Sequence, residues 1–475
     1  MAMPSISTAE KALAVNLDPR RYGSFAEIGA GQEVVRWFFR SGGAAGTIAK
    51  SISAYDMQVS DAIYGSCERY VCYNRLQDML ACEQALNRKR LTEKRGEDST
   101  FFAFADTVSA RNFHGTNECH GWLGILFQTY PGGPDNRIII HVRMLDQENA
   151  QQQEALGIVG VNLVHGAFAH YDDADRLLDA LLDNLSTDRI EIDLIELTGP
   201  KFAFVDSRVM ALKLVQKGLS GAALFSAEGR VLQPSEALRK KPLLVERGHF
   251  RPFTHANMDM MQSALAAFEA ENGVPSSEVL PVMEMTMHDL GCDGEISLED
   301  FINRAEVLAA TGFTVLISEF REYYRLANFL FRYTQRPIGI VMPLENLRGL
   351  FDEASFVQLE GGILESFGKM FRNDLQVLAY PDKRADATIE GAADLQFDPM
   401  LERLYDFLMH RRSIVPLTDF TPEYLDIRDA EVVTQIVAGD AAWADKVPAR
   451  VAQVIREKGL FGYTQDNAGE NARAG

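Results

Sequence analysis

Residues 242–259, PLLVERGHFRPFTHANMD, decide how the back half of this chain is interpreted. The apolar run at 242–245 predicts a buried strand, and Gly248 and Pro252 mark a turn after it. Apolar residues then recur at helical spacing: Met258, Met261, Leu265 and Phe268. In parallel α/β folds such a strand-loop-helix junction binds phosphates and anionic substrates, because free backbone N–H groups and the helix dipole point at the loop.

The same alternation of strand, loop and helix is predicted for the residues that follow. Further strands are predicted at 279–287, 313–318, 337–342 and 375–380, and helical segments separate them. Five such strands indicate a parallel sheet with crossover helices, so we predict an α/β, doubly wound, Rossmann-like domain over 242–381. The alternative is a (β/α)8 barrel, which would need the predicted strands at 137–144, 190–197 and 222–225 to join the same sheet.

The rest of the chain is predicted to flank this domain. Residues 19–235 are expected to form an N-terminal α+β region, with strands joined by turns over 101–145. Residues 390–463 indicate a helical C-terminal lobe, whose surface could also serve as a subunit contact in a homo-oligomer. Residues 1–18 are predicted to be a flexible arm and 464–475 a disordered tail.

Composition narrows the class of partner. The chain of 475 residues carries 47 basic and 67 acidic residues, a formal net charge of −20, which disfavours nucleic acid and anionic membrane surfaces as partners. The first residues do not show a secretion signal, and eighteen uninterrupted apolar residues do not occur, so a cytoplasmic location is expected. The five cysteines are an odd number without framework spacing, which favours reduced thiols.

Three patterns in the front half contain residue types that are typical of phosphate, metal or catalytic sites. Glycines cluster within 28–57, but a phosphate loop ending at Lys50 and Ser51 would need glycine at Ala44 and Ala49, so helix packing is the preferred interpretation. His114, Cys119 and His120 are the densest set of metal-ligand types; without a second pair at zinc spacing we assign no metal there and expect loop hydrogen bonds. The acids of IEIDLIELTGP, residues 190–200, alternate with apolar residues, which predicts a solvent-facing side for Glu191 and Asp193.

Polar side chains are expected near the carboxyl ends of the predicted parallel strands. Glu284 is the most informative, because it lies inside an otherwise apolar strand and would need a partner such as Arg247 or Arg251. An internal ion pair that fixes strand packing is the structural alternative. The candidates for catalysis are His255, Arg251 and Glu284, and those for substrate binding are Arg247, Gly248, His249, Thr254, Asn257, His288, Glu319 and Arg321.

The loop after the first strand resembles the signature of the HxGH-containing nucleotidyltransferase superfamily. That signature is Gly-x-Phe-x-Pro, then His or Thr, any residue, Gly and His; here Gly248, Phe250, Pro252 and Thr254 are in register, and Asn257 stands at the final His position. The resemblance implies that the loop binds a nucleotide triphosphate, with ATP and Mg²⁺ as cofactors. The segment LDPRRYGSFAEIGAGQEV also resembles an uncharacterised bacterial family labelled nicotinate- or nicotinamide-nucleotide adenylyltransferase.

These observations lead to three functional hypotheses. The first is a cytoplasmic α/β enzyme that binds a nucleotide or another phosphorylated small molecule, with adenylyl transfer as the specific reaction. The second is a non-catalytic nucleotide-binding sensor or scaffold, suggested by Ala256 and Asn257 at the motif's Gly and His positions. The third is a (β/α)8 enzyme that uses the same acids and histidines on another substrate.

Overall fold

The computed structural model describes residues 6–115, 117–292 and 295–464. The chain divides into two compact units, Met1–Ala223 and Leu224–Gly475. Both units are mixed α/β structures, and the main sheet of the second unit is mostly parallel. Of the predicted arm, residues 1–5 lie outside the described residues, and Thr8–Asn16 form a helix. The predicted tail lies outside the described residues from residue 465. The finer division at 235, 242–381 and 390–463 stays a prediction.

The sheet of the first unit has six strands, and seven α-helices accompany it among the described residues. The strands are β1 (Arg21–Ile28), β2 (Ile48–Ile52), β3 (Thr100–Ser109), β4 (His120–Gln128), β5 (Asp135–Met144) and β6 (Ile190–Thr198). The helices are α1 (Thr8–Asn16), α2 (Glu33–Ser41), α3 (Met57–Tyr64), α4 (Tyr73–Arg95), α5 (Asn149–Ala169), α6 (Ala174–Leu181) and α7 (Ser207–Gln216). The strands form one sheet in the order β2-β1-β3-β4-β5-β6.

This sheet is parallel at one side and antiparallel at the other. Strand β1 pairs in parallel with β2 and β3, whereas β3 to β6 follow one another as antiparallel neighbours. The strands predicted over 101–145 and at 190–197 are therefore present. Helices cover both faces: a Cβ on Gly124 would meet Leu76 and Leu80 of α4, while its neighbour Leu123 lies in a buried cluster with Val159 of α5.

The glycine-containing segment at 28–57 follows strand β1 and contains strand β2, and the sequence did not reveal either strand. Strand β1 ends at Ile28, and Gly29 and Gly31 then lead into α2. Gly29 has φ of +105°, and a Cβ there would lie 1.9 Å from the carbonyl oxygen of Val108, so only glycine fits. The first N–H groups of α2 are satisfied within the chain, because the Glu27 carboxylate accepts hydrogen bonds from the N–H groups of Val34 and Val35 at 3.0 and 2.8 Å. An external anion is therefore not needed at this helix N-terminus.

The second unit is built on an eight-stranded sheet, whose first strand spans the unit boundary. Its strands are β7 (Ala222–Phe225), β8 (Val231–Leu232), β9 (Leu243–Arg247), β10 (Leu280–Thr286), β13 (Thr314–Ser318), β14 (Ile338–Pro343), β15 (Gln376–Tyr380) and β18 (Ile414–Pro416). Two small hairpins add β11 (Gly291–Cys292), β12 (Glu295–Ile296), β16 (Asp382–Lys383) and β17 (Ile389–Glu390). The helices are α8 (Pro234–Ala237), α9 (His255–Asn272), α10 (Met287–Leu290), α11 (Leu298–Thr311), α12 (Tyr323–Leu330), α13 (Leu344–Leu350), α14 (Gly362–Met370), α15 (Pro399–His410), α16 (Asp429–Ala438) and α17 (Ala449–Lys458).

The strand order is β18-β15-β14-β9-β10-β13-β7-β8. Strand β9 pairs in parallel with β10 on one side and with β14 on the other. The chain therefore runs outward from β9 through β10 to β13, returns to β14, and runs outward in the opposite direction through β15 to β18. All five strands predicted after residue 242 are present in this sheet.

The barrel alternative is wrong. The sheet is open, with β18 and β8 at its two edges, and β5 and β6, which the barrel required, belong to the other sheet. The predicted helical lobe also contributes a strand, β18, which pairs in parallel with β15. Among the described residues, every helix is too short or too polar to cross a lipid bilayer.

Candidate functional site

The candidate site is a crevice along the carboxyl ends of the parallel strands in the second unit. Three cavities that share lining residues form it, and we call them together the carboxyl-edge crevice. The first, of about 740 Å³, lies beyond β10, β13 and β14 and is lined by Thr286, His288, Arg321 and Tyr323 among others. The second, of about 430 Å³, lies beyond β9, β14 and β15. The third, of about 600 Å³, extends towards the start of α11.

Arg247, the last residue of β9, lies where the first two cavities meet. Its Nε and Nη2 donate to the two carboxylate oxygens of Glu284 at 2.8 and 3.0 Å. Ser318 also donates to Glu284 at 2.6 Å, and the third nitrogen of Arg247 donates to the carbonyl of Arg321. The Arg247 guanidinium lies 4.2 Å from the ring centroid of Tyr323.

Glu284 is therefore an anchor beneath the crevice and does not line it. The residue is 0 % exposed and neighbours Arg247 across the β9–β10 pair, so the predicted partner for the buried acid is Arg247 and not Arg251. A bidentate pair of this kind holds its arginine in one orientation. All three guanidinium nitrogens of Arg247 donate to protein acceptors. Arg247 therefore offers a ligand a rigid surface, and Glu284 partly neutralises its charge.

The loop between β9 and α9 is held by internal hydrogen bonds. Thr254 caps α9, because its hydroxyl accepts the N–H of Asn257, while the Asn257 carbonyl oxygen accepts the N–H of Thr254 at 2.9 Å. The Asn257 amide donates to the buried Glu246 carboxyl at 2.9 Å. The helix N-terminus, which the sequence predicted to receive phosphate, is thus partly satisfied by its own side chains.

Glu246 is the most perturbed acid near the crevice. It is 0 % exposed at the end of β9, and one of its carboxylate oxygens lacks a hydrogen-bond partner among the described residues. Burial raises the pKa of Glu246 to about 8, although the hydrogen bond from Asn257 lowers it. A carboxyl with this pKa is protonated at neutral pH and can donate a hydrogen bond.

The remaining predicted residues are distributed unevenly. Gly248, His249, Arg251, Thr254, Asn257, His288 and Arg321 line the crevice, whereas Glu319 lies outside its lining and pairs with Arg325 at 3.0 Å. Arg251 is bound to Asp300 at 2.6 Å. The His255 ring stacks on Tyr424 with centroids 5.0 Å apart, and partial burial lowers the pKa of His255.

Sequence reasoning missed several lining residues. Tyr380 ends β15 and donates to Asp259 of α9 at 2.6 Å, and Asp259 also accepts from the Thr421 hydroxyl at 2.7 Å. Tyr424 and Arg428 reach the second cavity from the C-terminal segment. Tyr380 closes a predicted strand and could have been found by that position, but the contribution of residues beyond 420 has no local sequence signal.

Carboxylates also face the crevice, and they bear on what it can bind. Asp289, Glu322, Glu345 and Asp352 line the first cavity beside the two arginines. Within the described ranges, however, groups of three His, Cys, Asp or Glu that could hold a metal ion do not occur in either unit. For the pattern at His114, Cys119 and His120, His114 is exposed and His120 is hydrogen-bonded to His141.

Comparisons with known proteins add little to this geometry. Protein-family models do not match the sequence, and curated proteins do not match it either. Among the solved structures that match, three cover about a third of the chain: a competence/damage inducible protein from Agrobacterium tumefaciens (13% identity, 34% of this chain, 97% of that one, TM-score 0.25) and competence-damaged (CinA) superfamily proteins from Klebsiella pneumoniae (13%, 35%, 99%, 0.26) and Enterobacter cloacae (13%, 35%, 95%, 0.27). These TM-scores are too low to support any inference about this chain.

Proposed function

We propose that the second unit binds a nucleotide, or another phosphorylated small molecule, in the carboxyl-edge crevice. The observation that carries the proposal is the reversal of strand order between β9 and β14, because ligands of open α/β sheets bind outside the carboxyl ends of the strands at such a reversal. The order β13-β10-β9-β14-β15-β18 corresponds to 3-2-1-4-5-6, the order of dinucleotide-binding domains, which supports a Rossmann-like, doubly wound sheet.

The lining of the crevice is suited to such a ligand. His249, His288 and Arg321 are exposed, and among the described residues Arg321 does not form an ion pair, so its guanidinium can contact phosphate oxygens. Tyr323 and Tyr424 supply aromatic surfaces in the first and second cavities. A heteroaromatic base could stack on either ring.

The carboxylates of the crevice predict a dependence on Mg²⁺. Asp289 and Glu345 line both the first and the second cavity and would repel an uncompensated polyphosphate. Mg²⁺ is commonly held by one or two carboxylates together with phosphates of the substrate. The ion would therefore enter with the nucleotide, and we expect ATP to bind more tightly in its presence.

Adenylyl transfer is the specific reaction suggested by the motif resemblance, but the contacts of the motif favour binding alone. Both ends of the Asn257 amide form hydrogen bonds, with Thr254 and with Glu246 of β9, so Asn257 is not free to stabilise departing pyrophosphate. His255 is stacked on Tyr424. We expect pyrophosphate not to be released from ATP and nicotinate mononucleotide; release that Arg251→Ala abolishes would overturn this part of the proposal.

Calorimetric titration with ATP and with nicotinate mononucleotide, each with and without Mg²⁺, tests the binding proposal. Arg321→Ala should weaken binding about tenfold, as expected for one charge-assisted contact of about 1.4 kcal/mol. Arg336→Ala is the matched control. Arg336 lies just before the amino end of β14, away from the carboxyl ends of the strands, and it pairs with Glu278. The proposal fails if neither ligand binds at millimolar concentration, or if both substitutions have equal effects.

A further inference from the structure

The first unit contains a chain of three hydrogen-bonded titratable groups that is separate from the crevice. Asp193 Oδ1 lies 2.6 Å from His141 Nδ1, and His141 Nε2 lies 3.0 Å from His120 Nδ1. Asp193 and His141 are each 1 % exposed, whereas His120 is partly exposed. We call Asp193, His141 and His120 the relay.

The relay depends on an irregularity in the sheet. His120, His141 and Asp193 come from the neighbouring strands β4, β5 and β6. In the β5–β6 pair His141 faces Leu194 and Val142 faces Ile192, so Asp193 is the extra residue of a bulge. A bulge redirects a side chain. This is why Asp193, which the alternation of its strand assigned to a solvent face, is buried against His141.

When Asp193 is ionised and both histidines are neutral, hydrogen-bonding rules allow one arrangement of the protons in the relay. An ionised carboxylate only accepts, so His141 must donate from Nδ1 to Asp193. Neutral His141 then accepts at Nε2, and His120 must donate to it from Nδ1. The Nε2 atom of His120 is consequently left with a free lone pair, and within the described residues it does not take part in a hydrogen bond.

Four charged or titratable groups act on His120. Partial burial and the neighbouring His141 lower the pKa of His120 to about 4, Arg69 and Arg143 lower it further, and Asp193 raises it. Arg143 is neutralised by Glu191 and lies 3.9 Å from Glu118. Arg69 is exposed and does not form an ion pair among the described residues. His120 is therefore neutral at pH 7 beside a cation that is free to bind an anion.

We propose that His120 is the nucleophile of an acyl-transfer site in the first unit, acting on small esters or thioesters that carry a negative charge for Arg69. The lone pair of His120 Nε2 attacks the carbonyl carbon, and the bond to the leaving alcohol or thiol breaks with its electron pair. The Nδ1 proton of His120 moves to His141 Nε2, where Asp193 stabilises the positive charge. Water then attacks the acyl-imidazole: its oxygen and one proton complete the carboxylic acid, and its other proton goes to the leaving alkoxide or thiolate. As the bond to Nε2 of His120 breaks, His141 returns its proton to Nδ1 of His120, which restores both histidines.

The relay makes two separable contributions. His120 forms the bond to the acyl group, and His141 and Asp193 are positioning residues that hold its tautomer and accept the proton. Arg69 contributes only to anionic substrates. Each role therefore predicts a different response to substitution.

Hydrolysis of 4-nitrophenyl succinate and of 4-nitrophenyl acetate by the full chain tests the proposal, with nitrophenol release as the measurement. His120→Gln should lower the second-order rate constant at least tenfold for both esters, and Arg69→Ala should lower it severalfold for the succinate alone. His114→Gln is the matched control, because His114 is exposed and outside the relay, and it should leave both rates unchanged. Equal rates for the wild type and His120→Gln, or equal effects of the two histidine substitutions, would overturn the proposal.

The pH profile separates a positioning role from a merely structural one. The wild-type rate should rise through a midpoint near 4, the pKa of His120, and not near 6.5, the usual value for histidine. Asp193→Asn removes the group that raises this pKa, so the midpoint should move lower and the rate should fall at least threefold. Circular dichroism checks that each variant is folded. If Asp193→Asn does not fold, His120→Gln and the wild-type midpoint decide the outcome.

Discussion

At the scale of single residues, Glu246 couples the stability of the second unit to pH. Its folded pKa of about 8 lies above the unfolded value of about 4.3, so the folded state holds a proton that the unfolded state loses between these values. The contribution of this group to the free energy of unfolding is fully present below pH 4.3. It falls progressively as the pH rises from there, and the loss is complete once the pH has passed 8. We expect this group alone to lower the free energy of unfolding by on the order of 3 kcal/mol between pH 5 and pH 8.

Glu246→Gln keeps an acceptor for Asn257 and removes the ionisation. Urea unfolding at pH 5 and at pH 8 should show a smaller loss of stability with rising pH for this variant than for the wild type. Glu319→Gln is the control, since Glu319 is exposed and paired with Arg325, and it should retain the wild-type dependence. The assignment is refuted if both variants lose the same stability as the wild type.

Residue-scale prediction from sequence succeeded where burial forces a partner and failed where backbone geometry decides. An acid inside the apolar strand VMEMT requires a cation, and the register of β9 and β10 supplies Arg247 opposite Glu284. Asp193 carries the same kind of signal in IEIDL, but its bulge reverses the face that alternation assigns to it. A bulge depends on the neighbouring strand and leaves no mark in the local pattern.

At the scale of elements, the packing of α9 on the sheet rests on a glycine. A Cβ on Gly339 of β14 would lie 2.7 Å from Leu244 and Leu378 side-chain carbons and 3.0 Å from Phe268 of α9. We expect Gly339→Ala to lower the free energy of unfolding by about 1–3 kcal/mol through overpacking. Gly368→Ala, on α14 with open space around it, should instead raise stability by about 0.5–1 kcal/mol.

Chemical denaturation of both glycine variants measures these shifts. If Gly368→Ala loses as much stability as Gly339→Ala, the close approach of α9 is not the reason for glycine at position 339. A neutral Gly339→Ala would mean that Phe268 and the two leucines can move aside without cost, and the packing argument would then be wrong.

Elements with a clear apolar pattern were predicted correctly. Elements that are short, or that form only because a neighbouring strand pairs with them, were missed. The five parallel strands that were predicted after residue 242 are separated by helices, and each has its own apolar run. Strand β18 has only three residues, and β1 contains Gly23 and a buried Glu27, so neither resembles an apolar strand in isolation. Both exist because a neighbouring strand, β15 or β3, offers a free edge. Such partners are separated by tens of residues in sequence.

At the scale of the whole molecule, the two proposed sites lie in different compact units, Met1–Ala223 and Leu224–Gly475. Substitutions without shared contacts usually have additive effects. His120 contacts His141, whereas Arg321 lines the cavity beside Arg247, so the two residues have separate sets of neighbours.

This separation predicts that the two functions are independent. His120→Gln should leave the nucleotide dissociation constant unchanged, and Arg321→Ala should leave ester hydrolysis unchanged. In the double variant each function should fall by the same factor as in the corresponding single variant, and saturating ATP with Mg²⁺ should not alter the hydrolysis rate. A rate that responds to the nucleotide would instead demonstrate a coupling free energy between the units, and by reciprocity an acylated His120 would then have to change the affinity for the nucleotide by the same factor.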